Sequence, residues 1–520
     1  MRTQAAVAAA VLLALSAAVN ATVIRVDADG GGDHLTIQAG INAAVEGDTV
    51  LVAAAVYKGE GNTGLDFGGT NIVLVSESGR DSTLIDCEFS SSGFYLQSGE
   101  DTTSVIRGFT VAHADGAFDF SGASPRVEDC RIERSWWDAG RLTGSGAIFR
   151  NTVVYGEHGN GQPRDYGFYC RLGPPAPTFI GCTFEGIYIA LVSNGASFVM
   201  RDCEFFDCWG GDYGVIPCSN CSPVIEDVLM VDCYINDYEW VGDAMSFLDC
   251  DALVERVAFI RCGYAHFGTV HLEGGTLTLR DCVFVDDLSS PVIHGWGDGA
   301  INIENVTIVN ADVGHAIGVR WGTTTIDVSN SIIAFGHRAA VDDQSTGTIT
   351  VSRSCVFGNA WGDSLACTHY ENLFVNPLFC DQMDDDFTLH DDSPCLPGGN
   401  PWGVLMGRFG AGGCGTGVDQ GGETDAFELR LSSPVLADGP VPLAYYAPTA
   451  GVPVEISISN VRGALVTRLE HVPSSAGLQK IQWDGADASG HLVASGVYFV
   501  KLSVNGQPAA QERAKLVVVR

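Results

Sequence analysis

Leu279-Arg280-Asp281-Cys282-Val283-Phe284 is the plainest copy of a phrase that recurs down most of the chain. It returns as Leu84-Ile85-Asp86-Cys87-Glu88-Phe89, Val127-Glu128-Asp129-Cys130-Arg131-Ile132 and Met200-Arg201-Asp202-Cys203-Glu204-Phe205. Looser copies centre on Cys182, Val228, Val257, Val306, Ser331 and Cys355, and weaker ones on Phe109 and Thr152. With the Cys position as a mark, copies follow one another every 21 to 30 residues. A period of this size signals a solenoid. An apolar side chain stands two residues beyond the mark in every copy, from Phe89 to Phe357. Side chains two apart share a strand face, so mark and mark-plus-two are expected to point inward. Asp or Asn precedes the mark at Asp86, Asp129, Asn151, Asp202, Asp227, Asp281, Asn305 and Asn330. Both residues tolerate turn geometry. A short strand, an acidic turn and another short strand make one coil of a parallel β-helix. Leucine-rich repeats lack support because their Leu-x-x-Leu-x-Leu phrase is absent, and propeller blades need about forty residues.

The chain has 520 residues, 64 of them Gly, only 18% charged, and a net charge of −35. The Gly content and scarce amphipathic helices fit an all-β fold. So negative a surface argues against nucleic acid and anionic membrane as partners. It permits Ca²⁺ without demanding it, so no cofactor is expected. Residues 1–21 read as a signal peptide: Arg2, an apolar run from Ala5 to Ala18, then Val19-Asn20-Ala21. Localisation is therefore expected to be secreted, extracellular or cell-surface in a bacterium, and no later stretch is long and apolar enough for an integral membrane protein.

Seventeen Cys is an odd number, so at least one thiol stays unpaired within a monomer. Cys221 and Cys250 share a phase on adjacent coils and should stack, as should Cys208, Cys233 and Cys262. Bridged or reduced ladders are both open. The marks behave as small buried hydrophobes. Cys218-x-x-Cys221 is half of a zinc site, but no second pair or His follows at suitable spacing, so no metal site is expected. Cys367, Cys380, Cys395 and Cys414 allow three pairings.

Residues 22–60 read as an N-terminal cap and first coil. Thr36 is expected to N-cap a short helix with Ile37, Ile41, Ala44 and Val45 on one face, ended by Gly47. Coils occupy 61–357, a closing segment and Gly-rich linker 358–422, and a small β-sandwich of alternating strands 423–520.

The run Thr36-Ile37-Gln38-Ala39, Gly47-Asp48-Thr49-Val50-Leu51-Val52, Tyr57, Asn71-to-Gly79 and Leu84-to-Cys87 resembles the opening of secreted bacterial right-handed parallel β-helix proteins of the pectin-lyase-like superfamily. Asn376-Pro377-Leu378-Phe379-Cys380, Asp386-Phe387-Thr388-Leu389 and Ser393-Pro394-Cys395 resemble its closing phrase, so the likeness spans roughly 23–415. It implies the fold and leaves function open, because one scaffold carries lyases, hydrolases and non-catalytic proteins. Trp483-Asp484-Gly485, Gly490 and Ser495-Gly496-Val497-Tyr498-Phe499 resemble FlgD Ig-like and secretion-sorting domains, which implies export machinery as a partner. Ser433-Pro434-Val435-Leu436 stands where that resemblance calls for Pro-Phe-Asn-Pro.

Two coils are long, carrying Glu157-to-Tyr166 and Asp237-to-Asp243. Loops on a rigid scaffold favour binding sites. A polar zone holds His158, Arg164, Asp165, Asp237, Glu239, Asp243, His266, His271, Glu273, His294 and Asp298, with Trp240, Trp296 and Trp321. His158, Arg164, Asp237 and Glu239 are the acid–base candidates. Trp240, Asp243, His266, His294 and Trp296 are the carbohydrate-binding candidates, since a flat ring stacks on a sugar while acids bond hydroxyls. Trp136, Trp137, Trp209 and Tyr234 form a platform or cover a corner. Coil loops are polar for solubility alone, so no one of these residues is decisive. Asn-Thr-Asp, Gly-His-Gly, Arg-Ile-Lys and Trp-Ile-Asp-His phrases are all absent. The expectation is a non-catalytic rod that binds a polysaccharide or surface protein; the alternative is a polysaccharide lyase or glycoside hydrolase.

Overall fold

The computed structural model describes residues 21–156, 166–210, 214–233, 243–263, 268–311, 313–342, 346–382, 386–414, 428–430, 441–447, 449–460, 464–473, 477–493, 496–504, 507–508 and 514–518. The proposed signal segment and the linker lie outside them, apart from Ala21 at one end and the stretch up to Cys414 at the other. The chain forms two compact units, residues 1–154 with 174–178, and residues 155–173 with 179–520.

Each coil has three strand-bearing sides. In the first unit, Val23–Val26, Thr49–Val52, Val73–Ser76, Val105–Arg107, Arg126–Glu128 and Ile148–Arg150 pair in parallel, one coil to the next. Val56–Lys58, Leu84–Asp86, Thr110–Ala112 and Arg131–Glu133 form the second side. Phe94–Leu96, Phe118–Ser121 and Asp138–Thr143 form the third. In the second unit, the second side runs from Thr183–Glu185 to Cys355–Phe357. Its third side stacks Tyr166–Arg171, Ile189–Asn194, Ile216–Ser219, the start of Met245–Glu255, the start of Val270–Arg280, Ile293–Gly297 and Ile317–Gly322. The phrase read from sequence covers only the first two sides.

The expected inward positions are filled as the period requires. Ile132, Phe184, Phe205, Met230, Phe259, Phe284, Ile308 and Ile333 are all buried. Like side chains stack between coils: Phe184 on Phe205 at 4.7 Å and Phe259 on Phe284 at 4.6 Å, both nearly parallel. The acidic turn is a left-handed residue. Asp129, Asn151, Asp202, Asp227, Asp281, Asn305 and Asn330 have φ between 49° and 55°. A second left-handed turn, unseen in the sequence, follows four residues beyond the mark, at His113, Arg134, Asp207, Asp232, Arg261, Asp286 and Asn310. Two such turns bracket a three-residue strand.

The end copies depart from the phrase. Ile85 stands beside Val111, so Ile85 is the inward residue; Cys87 falls past the strand and Phe89 is 49% exposed. At the other end Val356 stands beside Ile333, so the copy is slipped by one and Phe357 is only half-buried. The cap helix spans Ile37–Ala43, shorter than expected. Val45 is exposed, and Thr36 makes no side-chain cap bond; Asn62 Oδ1 instead accepts from the Ile37 N–H at 3.0 Å. The helix lies against the first strands through Gly40, where a Cβ would come 2.5 Å from Val26 Cγ2.

Cys380 and Cys414 are joined by a disulfide, which settles one pairing in the closing segment. Beyond it are two antiparallel sheets. One holds Glu428–Arg430, Val441–Ala447 and Gly477–Trp483; the other holds Val454–Asn460, Leu465–His471, Gly496–Val504, Gln507–Pro508 and Ala514–Val518. Trp483, Tyr445, Ile456, Val500 and Leu516 share their core, and Trp483 Nε1 donates to the Ala486 carbonyl at 2.8 Å. No helix among the described residues is long and apolar enough to cross a membrane.

Candidate functional site

On the third side of the second unit, inward positions are apolar: Val270, Leu272, Ile293, Ile317 and Val319 are fully buried. Strand alternation therefore turns the residues between them outward. Register sets two outward rows. Ser246, His271, His294 and Gly318 stand side by side on successive coils. Two residues along stand Leu248, Glu273, Trp296 and Arg320. Residues more than twenty apart in sequence thus become neighbours.

Asp243 joins the first row from the start of its coil, where its carbonyl accepts from Val215 N–H at 3.0 Å. Its Oδ2 lies 3.4 Å from His271 Nδ1. The His271 ring is 4.9 Å from that of His294, and His294 meets Trp296 edge to face at 6.0 Å. The cluster is covered: Asp243 is 3%, His271 8% and His294 0% exposed. Gly268 makes part of that cover possible. It has φ +119°, and a Cβ there would come 2.9 Å from the Cβ of His294. Burial raises the Asp243 carboxyl above its ordinary range, and the hydrogen bond and charge of His271 pull it partly back. A raised carboxyl touching an imidazole can share and pass a proton.

Trp296 leads outward to Trp321, whose ring meets it edge to face at 4.8 Å. The register slips between Trp296 and Gly297, so Trp296 pairs with Arg320 while Gly297 pairs with Gly322. Trp321 is the residue left over. It has φ +53° and is 67% exposed. A bulge re-aims the side chain it carries. A bulky residue held in the left-handed region costs on the order of 1–2 kcal/mol. Glu273 and Asp298 are exposed nearby in sequence register, and Asp298 accepts from the Thr323 hydroxyl at 2.7 Å.

Of the sequence candidates, Asp243, His294 and Trp296 lie in this constellation, and His271 and Trp321 become its centre. His158, Arg164, Asp237, Glu239, Trp240 and His266 lie outside the described residues. Of the residues read as a platform or a corner cover, Trp136 packs edge-on against Phe89 at 5.8 Å, Trp209 is half-buried, and Tyr234 lies outside the described residues. The sequence reading missed Asp287. It is fully buried, accepts from Thr269 Oγ1 at 2.5 Å and Ser289 N–H at 2.9 Å, and burial pushes it up to about 7. Its phase, five past Cys282, continues that of Cys208, Cys233 and Cys262 and was the available signal. Among the described residues no group of three or more His, Cys, Asp or Glu side chains is placed to hold a metal ion. A cavity of about 390 Å³ is lined by Asp342, Thr348, Cys367 and Thr368 among others, and no tryptophan is in its lining.

The description "Right handed beta helix region" matches residues 50–226, and "FlgD Ig-like domain" matches 431–507. No curated protein matches the chain. Among solved structures, the catalytic domain of a GH87 alpha-1,3-glucanase in complex with nigerose is 13% identical, over 63% of this chain and 67% of that one, with a TM-score of 0.34. A periplasmic alginate epimerase is 12% identical over 63% and 77%, at 0.30. A mannuronic acid specific polysaccharide family 6 lyase from human gut microbiota is 12% identical over 64% and 79%, at 0.28.

Proposed function

We propose that this protein, a right-handed parallel β-helix of the pectin-lyase-like superfamily with a C-terminal FlgD Ig-like domain, is a secreted or cell-surface protein that binds and acts on an extended glycan. The observation that carries the reading is Trp321, bulged out of its strand at φ +53° and 67% exposed against Trp296. A strained indole that is mostly exposed gains little from packing beyond its edge contact with Trp296, and a flat ring is the surface a sugar face stacks on. The Asp243–His271–His294 cluster beside it is the acid–base machinery of the proposed reaction. A net charge of −35 favours a neutral or cationic glycan over a polyanion. The C-terminal domain is proposed to serve export or surface attachment, and a chain lacking 423–520 tests this by its location in fractionated cells.

A second reading, binding without catalysis, draws on the cover over His271 and His294. One experiment separates the two. The purified chain is screened against neutral, amino-sugar and uronate polysaccharides, with binding, reducing ends and unsaturated products read in parallel. Binding that Trp321→Ala abolishes, with products that His271→Ala abolishes, supports the enzyme. Binding without product from any bound glycan leaves the non-catalytic reading, and no binding sinks both.

A further inference from the structure

We propose that Cys221 and Cys250 form an oxidation site that closes to a disulfide between two coils. Their sulfurs touch at 3.7 Å. The backbones run side by side there, with Asp251 N–H donating to the Cys221 carbonyl at 3.1 Å. Adjacent strands lie about 4.8 Å apart, within the Cα separation a disulfide spans.

Other thiols also stack, but access sets this pair apart. Cys208, Cys233 and Cys262 are 0% exposed, whereas Cys221 is 8% exposed, with Cys250 at 1% just beneath. Cys367 is more open and has no thiol neighbour in contact among the described residues. The chain already holds the Cys380–Cys414 disulfide, so its setting allows oxidation.

The step balances with an oxidised thiol–disulfide exchange partner or small disulfide as acceptor. The Cys221 thiolate attacks it and forms a mixed disulfide, releasing one thiol. The Cys250 sulfur then attacks Cys221, gives up its proton, and releases the second thiol. Two protein thiols lose two electrons and two protons; the acceptor disulfide gains them. The hydrogen bond that the Cys221 thiol gives to Cys218, and burial, push Cys221 up to about 12 against a downward pull from Cys250, so exchange is slow at neutral pH and quickens as pH rises. The link closes the segment between the two cysteines, which includes Asp243 and the 237–243 insertion, into a loop.

The test is mass spectrometry of the full chain after oxidised glutathione treatment, alkylated under denaturing, non-reducing conditions. The expected result is a linked Cys221–Cys250 peptide two hydrogens lighter, with two fewer alkylated thiols, reversed by reductant. Alkylation of both cysteines while Cys380 and Cys414 stay linked overturns the proposal, as does a Cys218–Cys221 link. Cys250→Ser is expected to leave Cys221 alkylated and to abolish a rise in Tm on oxidation. Should that variant not fold, the wild-type peptide map still decides.

Discussion

Trp321 stands edge-on to Trp296 with ring centroids 4.8 Å apart, and it does so because one strand carries a residue more than its neighbour between Trp296 and Gly297. The contact is made by a bulge and not by continuous pairing. That separates what the residue does for stability from what it does for binding.

Replacing Trp321 by Gly therefore leaves stability unchanged or raises it by about 1 kcal/mol, since glycine takes φ +53° without strain. The same change weakens glycan binding by about tenfold or more, near 1.4 kcal/mol. Thermal unfolding and glycan titration of one variant check both halves. A Tm fall of several degrees would show that the indole is structural.

Asp287 is fully buried inside a coil, its carboxyl pushed up by burial to about 7 against an ordinary 3.8. Between those values the folded state binds the proton that the unfolded state has lost. The contribution of Asp287 to stability is therefore greatest below about pH 4, falls as pH rises to about 7, and is then flat. The fall is on the order of a few kcal/mol. Asp287→Asn is expected to remove this slope, measured as urea midpoints from pH 4 to 8. An unchanged slope would overturn the assignment.

Asp86 behaves oppositely. Burial opposes its ionisation, but Lys58 at 2.7 Å, His113 at 2.8 Å and the Glu88 N–H bring it down to about 2. Its contribution is fully present above pH 4 and disappears as pH falls toward 2, amounting to about 2 kcal/mol. Asp86→Asn is expected to lower stability at pH 6 and to make little difference at pH 2. Equal losses at both pH values would place the effect in packing.

Phe205 is stacked on Phe184 and is fully buried. Phe205→Ala opens a cavity that neighbouring coils cannot close without shifting register, so a loss of about 3–5 kcal/mol is expected in denaturant unfolding. Phe89→Ala, in the nominally equivalent but exposed position, is expected to cost less than about 1 kcal/mol. Similar losses would contradict the register at the first copy.

The solenoid was legible because its physics is local and repeated. The interior coils bury the residue two past the mark, and in most copies Asp or Asn relieves the left-handed turn before it, so copy after copy writes the same pattern. Phe89 and Phe357 misled because in these two copies the strand register is shifted against the phrase: Ile85 pairs with Val111 and Val356 with Ile333. Thr36 misled because a residue from the next coil, Asn62, bonds the first helical N–H.

By itself the sequence determined the period, the inward ladder and the acidic turns, because backbone sterics and burial act on each coil alone. Only the tertiary structure decided the third side, the bulge at Trp321 and the meeting of Asp243, His271, His294 and Trp296. Those residues lie on three successive coils, His294 and Trp296 on the same strand, and the coils are joined by loops of unequal length. Their adjacency follows from inter-coil register, which hydrogen bonding between whole strands sets and no spacing along the chain records.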